Sequence, residues 1–204
     1  SDTLTPHGYQ YSYIRSQGRS FGGINGFNVG LGKTLTALAS VQYAQNIGVK
    51  RKTMFVVPNS VLSNWRKEAG RAYSSMDDAL FVGLTVGKDG EAKVASSDYD
   101  RDLNIIRENR HRKIWVTFEA FQRLRLKDET ISAYEQHMRA VDASFAESED
   151  KKADTIAEGN TKRLSALLAQ GKTAATPYLE DLGIDSLVID VFSPPRNDYR
   201  TEAR

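Results

Sequence analysis

Short unbroken apolar runs, most of them separated by stretches of helical spacing, are what most limits the folds open to this chain. Five of them read as strands: residues 21–27, 53–57, 79–84, 113–117 and 186–190. Continuous rather than alternating runs suit strands covered on both faces, as in a parallel sheet. The first run is rich in glycine, and the second is stopped by Pro58, which cannot donate to a ladder. Between the runs, residues 33–45 carry Leu35, Leu38, Ala39 and Val41 or Gln42 at helical spacing. Residues 61–73 put Leu62, Trp65, Ala69 and Ala72 on one face, with Ser60 placed to cap that helix. Residues 98–110 follow the third strand in the same way. This alternation predicts an α/β domain with a mostly parallel sheet covered by helices on both faces.

Composition narrows the class further. Of 204 residues, 40% are apolar, enough to bury a core and to exclude a wholly disordered chain. No apolar run approaches the roughly 18 residues that a membrane span requires. Cysteine is absent, so neither a disulfide framework nor a thiolate metal site is available. The first six residues lack the basic and apolar regions of a signal peptide, and a cytoplasmic protein is the expectation. With 28 basic and 26 acidic residues the net charge is +2, too small by itself to argue for nucleic acid.

Two stretches break the rhythm. Residues 127–176 are rich in Ala, Glu, Lys, Asp and Ser. Helical patterning at 129–138 and 161–169 predicts a solvated helical insertion between the fourth and fifth strands. Residues 191–204 contain Pro194 and Pro195 and are expected to form an irregular or disordered tail. One domain is therefore expected over residues 1–190.

Gly30, Leu31, Gly32, Lys33 and Thr34 follow the first candidate strand and open a helix. Phosphates need backbone that approaches closely and aims several N–H groups inward, which glycine permits. They also gain from the positive end of the following helix. Lys33 would reach the β- and γ-phosphates of ATP, and the Thr34 hydroxyl would bind Mg²⁺. The full pattern asks for glycine five positions before Gly32, where Phe27 stands with Gly26 beside it. The alternative is a glycine-rich turn that merely opens an ordinary helix.

Taken with four other segments, this loop resembles the first motif of Swi/Snf-like superfamily-two helicases and DNA translocases. Leu4, Thr5, Pro6 and His7, with Gln10 after them, resemble the adenine-reading glutamine motif of that family. The stretch from Val56 through Pro58, Asn59, Ser60, Leu62, Asn64 and Trp65 to Glu68 is similar to its second motif. Val116, Thr117, Phe118 and Glu119 look like its strand-end threonine–aromatic–glutamate motif. Leu187, Val188, Ile189 and Asp190 have the form of the strand bearing its Asp-Glu-x-His box. More narrowly, residues 30–73 and 178–187 resemble the helicase region of large phage and mobile-element proteins that join a methyltransferase to a helicase. Phage members of that group are linked to protecting incoming DNA from restriction.

The resemblance implies a RecA-like P-loop domain that binds ATP and Mg²⁺, with double-stranded DNA as partner. Gln10 would read adenine, and Thr34 and Asp190 would hold the metal. Asn59, Ser60, Asn64, Thr117, Arg123 and Arg125 would lie on the DNA side. One departure is plain. The family follows its metal-holding aspartate with a glutamate that activates water, whereas Asp190 is followed by Val191. A second RecA-like domain, which supplies arginines to the γ-phosphate, is also expected to be missing here, so hydrolysis by this stretch alone is not expected.

The remaining features weigh less. His7, His111 and His137 share no ligand spacing. Trp65 sits on the apolar face of its helix and suits a core position better than base stacking. Arg107, Arg110, Arg112 and Lys113 form one basic cluster, and Arg123, Arg125 and Lys127 another; each alone reads as solvated surface, but placement at a strand end makes the second the better candidate for DNA. The readings left are the N-terminal half of a motor, a nucleotide- or DNA-binding module without turnover, and a remnant with an empty loop. A small-molecule P-loop kinase fits the loop but not the segment from Pro58 to Glu68.

Overall fold

The computed structural model describes residues 7–17, 22–25, 32–87, 92–146 and 176–190. At its centre lie β1 (Thr53–Val57) and β5 (Lys113–Thr117), every residue of both buried. They pair in parallel, Thr53 opposite Lys113 through Val57 opposite Thr117. β6 (Ser186–Ile189) lies parallel on the other side of β1, and β2 (Ala79–Phe81) parallel outside β5, giving the order β2-β5-β1-β6. Neighbours so far apart in sequence, all running one way, require crossovers, and helices supply them.

Alternation along the strands divides the core into two layers. Phe55, Val57 and Trp115 face Leu38 and Val41 of α2 (Lys33–Asn46) and Leu62, Trp65 and Ala69 of α3 (Leu62–Ala72). Met54, Val56, Ile114 and Val116 face Tyr99 and Leu103 of α4 (Tyr99–Ile105) and Ala120 of α5 (Phe118–Gln122). The sheet is thus covered on both faces, as the continuous apolar runs predict. Registration stacks three rings across adjacent strands. Phe81 and Trp115 lie 4.4 Å apart between centroids, and Trp115 and Phe55 4.5 Å, with interplanar angles of 7° and 4°. These spacings are close to the separation of about 4.8 Å between neighbouring strands.

The N-terminal edge of the sheet is tied by charged groups. The Lys52 ammonium, buried just before β1, donates to Ile106 O (3.0 Å), Leu182 O (2.7 Å) and Asn109 Oδ1 (2.5 Å). The Asp185 carboxylate, just before β6, accepts from the backbone N–H groups of Arg51 and Lys52. Lys113 opens β5 with a 2.8 Å pair to Asp78.

Several expectations need correction. Residues 22–25 form no strand, Ile24 is 93% exposed, and no strand earlier than β1 joins the four-stranded sheet among the described residues. Gly22 and Gly23 have no side chain to pack there; the rest of 21–27 lies outside the described residues. The run at 79–84 is not one strand. It turns at Val82 and Gly83, and β3 (Leu84–Val86) then pairs antiparallel with β4 (Ala92–Val94) in a separate hairpin. Gly83 has φ +72°, and a Cβ there would run into the Tyr99 ring; its N–H donates to Asp102 Oδ2 at 2.8 Å. Ser60 makes no capping bond, because the chain after Pro58 first forms a 3-10 turn (Asn59–Val61) that contains it. The helix expected at 98–110 is shorter, since a 3-10 turn follows Ile105 and Asn109 ends it at φ 58°.

Two helices lie outside the sheet core. α1 (Gly8–Gln17), which the spacing does not predict, buries Gln10 and Ile14, four positions apart and so on one face. α6 (Asp128–Ala146) covers the first helical pattern of the polar stretch; the second, at 161–169, lies outside the described residues. Arg125 forms a bridge with Tyr178 beyond that stretch, through Arg125 N to Pro177 O (3.1 Å) and Leu179 N to Arg125 O (2.8 Å).

Candidate nucleotide site

The first turn of α2 and the end of β6 meet the same edge of the sheet. Gln45, in the last turn of α2, donates through Nε2 to Arg112 O just ahead of β5. The helix therefore ends at the N-terminal edge of the strands. Its 14 residues, at about 1.5 Å each, carry its start back to the C-terminal edge, where open α/β sheets bind ligands.

Gly32 caps that helix in the left-handed region, φ 71° and ψ 36°, and its carbonyl accepts from both the N–H and the hydroxyl of Thr36, each at 2.9 Å. Lys33 is exposed and Thr34 half-buried on the first turn. Gln10, 3% exposed, reaches Gly32 from α1: a Cβ on Gly32 would lie 2.6 Å from Gln10 Nε2. Gln10 Oε1 accepts from the His7 N–H at 2.8 Å, which orients the amide. Two residues expected to touch the nucleotide are thus adjacent in space. Gly30 and Leu31 lie outside the described residues.

Asp190 extends β6 by donating its N–H to Val56 O at 2.9 Å. Its carboxylate Oδ2 accepts from the Trp65 indole Nε1 at 2.9 Å. Asn59, Ser60 and Asn64 are exposed together on the 3-10 turn and first turn of α3 that follow β1. No described group of three or more His, Asp or Glu residues makes a metal cage. A nucleotide-bound Mg²⁺ does not need one, because it takes one or two carboxylates plus phosphate oxygens. The hard oxygen donors of Thr34 and Asp190 fit that chemistry.

Three of the expected DNA contacts are engaged elsewhere. Thr117 is fully buried; its hydroxyl donates to Tyr99 Oη at 3.1 Å and accepts from the Ala120 N–H at 3.1 Å, capping α5. Arg123 pairs with Asp100 at 3.2 Å over the Tyr99 ring. Arg125 donates to Tyr178 Oη at 2.6 Å with its guanidinium over that ring. Spacing could not reveal these partners, which belong to other elements. The first basic cluster is likewise split up: Lys113 is buried against Asp78, and Arg110 pairs with Glu108.

Comparison with known proteins settles the family. The model of the SNF2-related domain matches residues 6–155. The chain belongs to the SNF2-related domain family. This SNF2-related domain is also 32% identical, over 235 aligned residues, to the protein named Defense against restriction protein B of Escherichia phage P1. The alignment covers 96% of this chain and 10% of that relative, so the chain spans about a tenth of the relative's length. No solved structure matches. The parallel four-stranded sheet flanked by helices is the RecA-like arrangement that the resemblance implies. Among the described residues of this SNF2-related domain, no helix is long and apolar enough to cross a membrane.

Proposed function

We propose that this SNF2-related domain is the nucleotide-binding N-terminal half of a DNA translocase motor, serving a longer protein concerned with protecting DNA from restriction. The observation that carries the reading is the seat of Gln10 on Gly32 at the start of α2. It puts an amide suited to an adenine edge next to a left-handed glycine suited to a phosphate. Lys33, exposed beside it, would neutralise the β- and γ-phosphates, and the helix start would add backbone donors. Thr34 and Asp190 would hold Mg²⁺, which when bound would draw charge from the phosphate oxygens. Asn59, Ser60 and Asn64 would donate to a DNA backbone; such contacts position the duplex without reading its sequence. Residues 1–190 would form one unit, with 127–176 inserted into it and 191–204 outside it.

The alternative, a module that binds without turnover, is favoured by Val191, which cannot orient a water. Calorimetric titration of ADP with Mg²⁺ into wild type and Lys33→Ala tests the common core of both. Wild type should bind and Lys33→Ala should not. Equal affinities would remove the phosphate-loop assignment.

A further inference from the structure

We propose that Trp65 is a positioning residue for the Asp190 carboxylate, fixing which of its oxygens is offered to the nucleotide's metal. The inference rests on the nucleotide reading above and adds a residue whose helical position speaks only for the core.

The indole is held from behind. Trp65 is 3% exposed and packs against Phe55, with centroids 5.5 Å apart at 50°. Phe55 is in turn stacked on Trp115 and, through it, on Phe81. A ring fixed by a three-strand aromatic stack has its N–H direction fixed as well. That N–H meets Asp190 Oδ2 at 2.9 Å, a charge-assisted bond of the stronger kind. The aspartate backbone is anchored independently by its N–H on Val56 O. With both ends held, the carboxylate keeps one rotamer: Oδ2 is committed to the indole and Oδ1 is the oxygen presented to a cation. The fold does not demand such a partner for a buried indole, since the Trp115 Nε1, also buried, has no hydrogen-bond partner among the described residues. Groups that orient a metal ligand are typically worth about 10- to 100-fold in metal affinity.

Two independent measurements test this on the 204-residue chain. The first needs no nucleotide. The Trp65 indole N–H resonance, assigned by its loss in Trp65→Phe, should shift clearly in Asp190→Asn. A resonance unmoved by Asp190→Asn would overturn the proposal whatever the nucleotide does. The second measures Mn²⁺ affinity by electron paramagnetic resonance with ADP saturating. Trp65→Phe keeps the apolar contacts but loses the N–H; it should weaken Mn²⁺ by about tenfold or more while metal-free ADP affinity stays at the wild-type value. A merely structural role would lower ADP and Mn²⁺ affinity together, and that result, or unchanged Mn²⁺ affinity, would overturn it. Equal metal-free ADP binding by wild type and Lys33→Ala would overturn the nucleotide reading instead, leaving the indole resonance to decide the Trp65–Asp190 link.

Discussion

Gln10 and Gly32 are packed so closely that a methyl group on Gly32 would lie 2.6 Å from the Gln10 amide nitrogen. A side chain at position 32 is therefore disfavoured on two counts. One is this contact; the other is the left-handed backbone, φ 71°, which costs an L-residue about 1–2 kcal/mol. Gly32→Ala should lower unfolding free energy by about that amount and should displace Gln10, weakening adenine nucleotides more than inorganic pyrophosphate. Chemical denaturation and competitive titration of the two ligands check this. Equal losses for both would show that Gln10 does not face the base.

Hydrolysis is expected to fail in this stretch by itself. Asp190 is followed by Val191, and a missing general base typically costs about 10²- to 10⁴-fold in rate. Phosphate release from ATP by the 204-residue chain should stay near background with or without DNA. DNA-stimulated turnover that Lys33→Ala abolishes would mean the base lies elsewhere in the chain.

Alkaline pH should weaken the fold through Tyr73. Its hydroxyl donates to Leu38 O at 3.0 Å, and burial, with a smaller contribution from the Asp78 carboxylate, pushes the phenol well above its ordinary value of 10.0. The folded state therefore binds the proton more tightly than the unfolded chain. The resulting stability is fully present below about pH 10, where the unfolded phenol titrates, and is lost as pH rises above it. Tyr73→Phe should lower stability at neutral pH by about 1 kcal/mol for the lost bond and flatten the decline above pH 10. Parallel declines in the two proteins would exclude Tyr73 as the cause.

The polar stretch should be removable. Arg125 and Tyr178 bridge its two ends, and Lys127 pairs with Asp181 at 2.6 Å, so a short linker in place of residues 129–175 has little distance to span. Loop-closure entropy changes only slowly with length, and α6 exposes most of its described side chains. The melting temperature of the shortened chain should stay within a few degrees of wild type. A collapse in stability would show that the stretch carries part of the core.

Legibility followed burial. β1 and β5 were readable to the residue because both faces of each strand are covered, so large apolar side chains run through them without alternation. The same logic failed at 79–84, where a left-handed glycine breaks an apolar run that reads as continuous. It failed again at 22–25, where glycine offers nothing to pack. α1 escaped notice because, among its described side chains, only Gln10 and Ile14 are buried, too few to mark a period. Of the candidate site, the Lys33–Thr34 motif was legible; the internal commitments of Thr117, Arg123 and Arg125 were not.

The layering, the parallel sheet and the family could be read from residue order alone, because they depend on which positions are apolar and on motifs confined to a few residues. That Gln10 sits on Gly32 and that Trp65 donates to Asp190, 125 residues away, emerges only in the folded chain. The physical reason is that an apolar period records how deeply a side chain is buried, whereas its polar atom's partner depends on how separate elements cross the sheet.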